Sequence, residues 1–511
     1  MERVKRETTV QAPQVCTACK VRKRGCDKGL PSCSYCNSRN LLCEYSSVSA
    51  PKKPSASELR KMYLPVMVPP QPTPDFQRGL CPSVRASVIL MDAVIDWLPS
   101  QPLAADRLLE IQTVDDLLYR QVYRIIQTTG LFLDDITIHF FQSIHRWIPI
   151  ISRSRLQETL VGNCCPWPAD LSILLLTMCL VVYQDTSEPS TPDVETLYLS
   201  TKMLFAHIQS VIPISTNLIQ ASILIAFFEY ARFQVDAAFI SLGLCIRLSL
   251  AAGLDLPERR PRGHDWRELE EERNMWWAIV ILERMFICET TLPGKRLATQ
   301  FPATECYLPS EAEGLDRRTE TSLPLLSESM NNLATRVDCF CREVQAALLL
   351  DRVWSVVDEK RSFDMEIDSM ISHIDKELWS FLGIIMEQCN GVYGVSCGAI
   401  AITLRALDTL HSYLLNSTSA PQYGLTSQTA IDSIVKMTID IAASHNTIFT
   451  EVNVDTVPPS CGYISRAALR HLERSSRFHD LKPEWLKTLS KSAKFFNTRW
   501  GMISPRTHPA V

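Results

Sequence analysis

CTACKVRKRGCDKGLPSCSYCNSRNLLC, residues 16–43, carries six cysteines at Cys16, Cys19, Cys26, Cys33, Cys36 and Cys43, separated by two, six, six, two and six residues. The stretch is an internal repeat, because CTACKVRKRGC and CSYCNSRNLLC are both C-x2-C-x6-C. Each half reads as a thiolate pair on a tight turn, one or two turns of helix, and a third thiolate that closes the loop. Zinc takes four tetrahedral ligands with sulfur at about 2.3 Å, and a short C-x2-C presents two of them. Two ions need eight coordination positions and six thiolates are present, so either two sulfurs bridge or one site borrows another ligand. No histidine precedes His139, which makes bridging the simpler arrangement.

Other uses of six cysteines fit less well. A disulfide framework needs an oxidising compartment, and the opening MERVKRETTVQAPQV has no apolar segment to act as a signal peptide. A redox C-x2-C belongs beside a βαβ pattern, and none is present. An iron–sulfur cluster also uses thiolates, but two equal halves suit two ions better.

The spacing resembles the fungal zinc-cluster, or Zn2Cys6 binuclear, DNA-binding domain, and it does so over the whole motif. The resemblance implies two Zn²⁺ ions per chain, with Cys16 and Cys33 bridging them. Cys19 and Cys26 then complete one site, and Cys36 and Cys43 the other. Pro31 sits where the family turns the chain between halves, and a cis Leu30–Pro31 bond would suit a tight turn there.

The two halves differ in charge. Lys20, Arg22, Lys23 and Arg24 lie between Cys19 and Cys26 without an acid, whereas Arg39 is the only charge between Cys36 and Cys43. Six thiolates and two Zn²⁺ sum to a formal −2, and four cations on one short helix exceed that. The excess suits a polyanion, since phosphate contacts dominate nucleic-acid affinity and arginine and lysine read guanine in the major groove. By resemblance the base-reading positions fall on Arg22 and Lys23, Lys20 meets phosphate, and the half-site is a CGG-type triplet. Gly25 departs from relatives that often carry another cation before the third cysteine. The bland reading of KVRKR is a solvated face or a nuclear localisation signal, and the run can serve as both.

Composition divides the chain in two. Residues 1–61 hold thirteen Lys and Arg against five Asp and Glu, a net of +8, so the remainder carries −12 of the overall −4. A basic head on an acidic body implies that nucleic acid is met by the head alone. The other twelve cysteines are scattered and read as buried or idle thiols in a reducing compartment. The longest apolar run, Leu171 to Tyr183, is too short for a bilayer, which needs about 20 residues, so no membrane partner is expected.

Eight prolines lie between residues 47 and 82, which marks an extended linker. Many relatives place a dimerising coiled coil here, but Ser57 to Leu64 stops at Pro65 and no heptads follow. A homodimer, if formed, must use the large domain; otherwise the protein reads one half-site as a monomer. From Arg85 onward, segments such as ASVILMDAVIDWL, TVDDLLYRQVYRIIQTT, DLSILLLTMCLVVYQD and LYLSTKMLFAHIQSVI repeat apolar residues at three- and four-residue steps. TSEPSTPD (186–193) and NSTSAPQYGLTSQT (416–429) read as loops. The body is expected to be a large all-α helical regulatory domain. The expected division is a DNA-binding module over residues 1–46, a linker over 47–84 and this domain over 85–505.

Residues 218–310 are similar to the regulatory "middle homology" domain of the same fungal family. Trp276 and Trp277 lead a helix, Glu283 and Arg284 follow, and Pro293 with Gly294 ends it. Glu283 stands where relatives usually have aspartate. Tryptophans at such positions pack a core. Glu283 and Arg284 are adjacent, so each is expected to pair with another element and not with its neighbour.

An enzyme-like motif is present as well. Gly394-Val395-Ser396-Cys397-Gly398 fits G-x-S-x-G, but that serine works only on a strained strand-to-helix turn, and both flanks read as helix. No H-E-x-x-H, G-x-G-x-x-G or P-loop occurs. The resulting expectation is a nuclear, sequence-specific, non-enzymatic regulator of RNA polymerase II genes. It would bind double-stranded DNA, engage the transcription machinery or co-regulators, and control a metabolic or secondary-metabolite pathway. The alternative is a zinc-stabilised nuclear protein-interaction module on a helical scaffold.

Overall fold

The computed structural model describes residues 12–43 apart from 13, 22–23 and 40–42, and residues 114–500 apart from several short stretches. The chain forms two compact units, residues 1–72 and 73–511. The linker and the segment ASVILMDAVIDWL lie outside the described residues.

In the first unit, α1 (Thr17–Val21) and α2 (Ser34–Asn37) each begin one residue after a cysteine. Four cysteines make the buried centre of this unit, with no aliphatic residue among them.

Among the described residues of the second unit the regular structure is helical, with no strand beyond the isolated pairing of Tyr307 with Leu325. Its helices are α3 (Val114–Thr128), α4 (Leu133–Gln142), α5 (Arg153–Gly162), α6 (Ala169–Val182), α7 (Val194–Val211), α8 (Thr216–Ala231), α9 (Val235–Ala251) and α10 (Trp266–Glu289). They continue with α11 (Leu326–Asn331), α12 (Cys339–Asp358), α13 (Met365–Cys389), α14 (Cys397–Asn416), α15 (Gly424–Ile448), α16 (Ser460–Arg474) and α17 (Lys482–Trp500). In α6 every residue but Asp170 is buried, and in α8 every residue from Leu218 onward. A helix apolar on all sides belongs in a core, and these two pack on each other. The apolar run at Leu171 is therefore a core helix, and no described helix is long and apolar enough to cross a membrane.

Local chemistry sets the helix ends. Asp193 accepts from the Thr196 N–H at 2.7 Å and Ser215 from the Leu218 N–H at 3.2 Å, N-caps for α7 and α8. Past α9, Gly253 takes φ 74°, its N–H donates to Leu250 O and the Leu254 N–H donates to Ser249 O, both at 3.0 Å. This is a Schellman ending, at the glycine where the sequence ends its paired helices.

Two expectations need correction. The segment 416–429 is not loop throughout: a short 3-10 turn covers Pro421–Tyr423 and α15 begins at Gly424. Residues 424–429 are helical although their polar neighbours read as a turn, because Ile431 and Val435 carry the same helix into a buried cluster. Glu283 and Arg284 do bond to each other, Arg284 Nη1 lying 2.9 Å from Glu283 Oε2. Both side chains bend toward the loop crossing above them: Glu283 accepts from the Ala298 N–H at 2.6 Å and the Thr299 N–H at 3.1 Å, and Arg284 Nη2 donates to Thr299 O at 2.9 Å. Arg284 also reaches Asp351 of α12 at 2.9 Å.

Helix α10 is thereby the post on which the 290–310 segment hangs. Trp277 is buried and its indole N–H donates to Tyr307 O at 3.1 Å, while Asn274 exchanges hydrogen bonds of 2.9 Å with both Ser310 N–H and Ser310 O. Trp276 is half-buried at the edge of the same core.

Candidate metal centre and nucleic-acid interface

In each C-x2-C the first cysteine, Cys16 or Cys33, stands immediately before a short helix, and the second, Cys19 or Cys36, lies in the first turn of α1 or α2. A helical turn places residues three apart on one face, so both sulfurs of a pair point the same way. The Cys19 N–H donates to Cys16 Sγ at 3.4 Å and the Cys33 N–H to Cys43 Sγ at 3.3 Å. Cys16, Cys19, Cys33 and Cys36 are wholly buried.

The sulfurs stand at 3.7 Å for Cys16–Cys33, Cys16–Cys36 and Cys19–Cys33, and at 3.8 Å for Cys16–Cys26. A tetrahedron of sulfurs about 2.3 Å from a central zinc has edges of about 3.8 Å. No pair is bonded as a disulfide, and all six are free thiols. They fall into two groups of four, Cys16, Cys19, Cys26 and Cys33, and Cys16, Cys33, Cys36 and Cys43, whose sulfurs all lie within 4.8 Å of one another. Cys16 and Cys33 are common to both. Burial and the neighbouring Cys16 and Cys33 thiols push Cys19 up to about 12, whereas a backbone hydrogen bond at Cys16 holds Cys26 down to about 7. Thiols this crowded resist ionising together without a cation among them. The donor set fits a divalent, thiophilic metal.

The turn between the halves is tied from several sides. Leu30–Pro31 is cis. Asp27 accepts from the Ser34 hydroxyl and from the Ser34 N–H at 3.0 Å, which holds its carboxyl below the usual range. The Ala12 N–H donates to Lys28 O at 2.8 Å. Asp27 escaped the sequence reading because nothing in its spacing marks it as the partner of Ser34.

Lys20 on α1 and Arg24 just beyond it are exposed. Arg22 and Lys23 lie outside the described residues. On the other half, the Arg39 guanidinium sits 5.0 Å from the centroid of the Tyr35 ring, a cation–π contact.

Ser396 does not stand at an exposed elbow. It is buried and precedes α14 in a left-handed conformation, φ 57°, and the described element before it is helix α13. Among the described cysteines of the body, Cys179, Cys245, Cys341 and Cys461 are buried free thiols; Cys164 and Cys165 lie outside the described residues.

Comparison with known proteins agrees with this geometry. Residues 14–53 match the fungal Zn(2)-Cys(6) binuclear cluster domain, and residues 137–389 match the fungal specific transcription factor domain. The chain is also similar to "Transcription factor BOA15" of Botryotinia fuckeliana (strain B05.10), 32% identical over 151 residues that span 28% of this chain and 82% of that protein.

Proposed function

This chain belongs to the fungal Zn2Cys6 zinc-cluster transcription factors, DNA-binding regulators whose cluster holds two zinc ions, and from that premise we propose how its head meets DNA. Cys16 and Cys33 bridge the two ions, Cys19 and Cys26 complete one site, and Cys36 and Cys43 complete the other. The observation that carries this reading is the pair of sulfur groups sharing those two cysteines. The ions supply the cross-links that a module whose described buried centre is four cysteines needs in order to fold.

With the cluster formed, α1 enters the major groove of double-stranded DNA at CGG-type half-sites. Arg22 and Lys23 read base edges, while Lys20 and Arg24, exposed on either side of them, take phosphate. Such modules place one short helix in the groove, and dimer geometry sets the half-site spacing. The head covers residues 1–46, the linker 47–84 and the regulatory body 85–505. The protein works without catalysis in the nucleus, on RNA polymerase II genes of a metabolic or secondary-metabolite pathway, and engages co-regulators. The body supplies any homodimer contact.

Selection of bound duplexes from a random pool by the full-length chain tests this reading, with CGG-type triplets as the expected enrichment. A titration on the selected site then compares the parent with Lys23→Ala, which loses about 1–3 kcal/mol of specific affinity. Equal affinity of the two proteins would overturn the assignment. A pool enriched in no sequence would leave the interaction-module reading standing.

A further inference from the structure

Helices α10, α12, α14, α15 and α16 converge around a cleft of about 1050 Å³. That is the size of a whole small-molecule site, since such pockets run from about 300 to 1,000 Å³. Lys295, Arg405, Arg470 and Arg474 line it, among the described residues, against two carboxylates, Asp408 and Asp432.

Both carboxylates are already committed. Asp408 accepts from Arg405 at 2.8 Å and from His471 at 2.6 Å, and Asp432 accepts from Gln428 at 3.0 Å and faces Arg477 at 3.4 Å. The cations are not committed to the same degree. Arg470 and Arg474, one turn apart on α16, are exposed and make no hydrogen bond or close ion pair among the described residues, although Arg470 feels the charges of Glu289 and Asp408. Arg405 pairs with Glu289 at 2.8 Å, but its buried Nε has no hydrogen-bond partner among the described residues. An orphaned buried donor costs free energy that a ligand acceptor would recover. Lys295 is held in place by Ile287 O at 2.7 Å and Thr290 O at 2.9 Å, with its ammonium 5.5 Å from the Trp354 ring centroid. Tyr413 and Phe478 add ring surface to the same lining.

We propose that this cleft binds a small organic carboxylate whose apolar, ring-bearing part lies against Trp354, Tyr413 and Phe478 and whose carboxylate meets Arg470 and Arg474. Guanidinium groups match a carboxylate with two parallel hydrogen bonds. The ring-lined wall selects an organic body over bare phosphate. Asp408 and Asp432 repel a polyanion and limit the surplus charge to what one or two carboxylates neutralise.

The test uses the full-length chain without DNA, so that it reads the cleft whether or not the DNA assignment holds. The probe is 1-pyrenebutyrate, followed by fluorescence anisotropy, with the neutral 1-pyrenebutanol as its control. One saturable site is expected, and the alcohol binds about tenfold or more weakly, the share of one charge-assisted hydrogen bond. The double variant Arg470→Ala/Arg474→Ala, in exposed positions that leave the melting temperature unchanged, loses the same factor for the carboxylate and nothing for the alcohol. Arg153→Ala, in a different groove between α4 and α5, leaves binding unchanged. Absence of a saturable site, equal binding of acid and alcohol, or equal binding by parent and double variant would each overturn the proposal.

Discussion

Glu343 and Gly398 explain each other. A Cβ at position 398 would collide with the Glu343 carboxyl, so the second glycine of the G-x-S-x-G pattern leaves room for a buried carboxyl of α12. Burial, and then the nearby Asp338, push Glu343 up to about 8. The folded chain thus keeps a proton that the unfolded chain gives up near the ordinary value of 4.5. The stability this contributes is full below about pH 4.5 and drains away as the pH rises toward about 8. Glu343→Gln is expected to gain stability relative to the parent in urea unfolding at pH 8, and to gain much less at pH 5. The same difference at both pH values would refute a buried neutral Glu343. At Glu283 and Arg284 the rule that adjacent helical residues diverge predicts separate partners, yet long side chains reached a common loop and bonded each other on the way.

The two helices of the head contain five and four residues, far below the length of about 12–15 at which an isolated helix becomes even marginal in water. Among the described residues only Ala18 and Tyr35 of these helices pack against the buried cysteines, so most of their stability is expected from the metal. Structural zinc contributes on the order of 10–16 kcal/mol in comparable peptides. Chelation is therefore expected to abolish duplex binding and amide protection in residues 16–43 while the melting transition of the helical body stays in place. Hydrogen exchange with and without chelator measures this, and a head that stays protected when stripped would contradict it. Helix α10 is the opposite case: at 24 residues it is anchored by Asn274, Trp277, Glu283 and Arg284, which bond one loop from four successive positions along it. Helix α17 shows a third pattern: four lysines lie along it, yet it buries Leu489, Phe496 and Trp500. One apolar face is enough to dock a helix that is polar elsewhere.

Across the whole molecule, charge separates the tasks. The first 61 residues carry +8 and the rest −12, so the body repels the duplex that the head attracts. If Lys20 and Arg24 take phosphate as proposed, each head releases counterions from about two phosphates, for a slope of log affinity against log salt near −1.8 for one head and near −3.6 for two. A titration across a potassium chloride series distinguishes monomer from dimer, and a slope close to zero would refute phosphate contact by the helix. The resting assembly matters here because no sustained heptads follow the cysteines, leaving the helical body to hold any second copy.

The sequence by itself determined the metal, the family and the helical class of the body. Six cysteines at fixed intervals constrain ligand geometry locally, and apolar residues at steps of three and four mark a helix wherever it lies. Only the tertiary structure decided that Glu343 fills the space above Gly398 and that Lys295, Arg405, Arg470 and Arg474 face one cleft. The physical reason is distance along the chain. Those four cations span residues 295–474, and no periodicity in a sequence says which helices will meet once their apolar faces are buried.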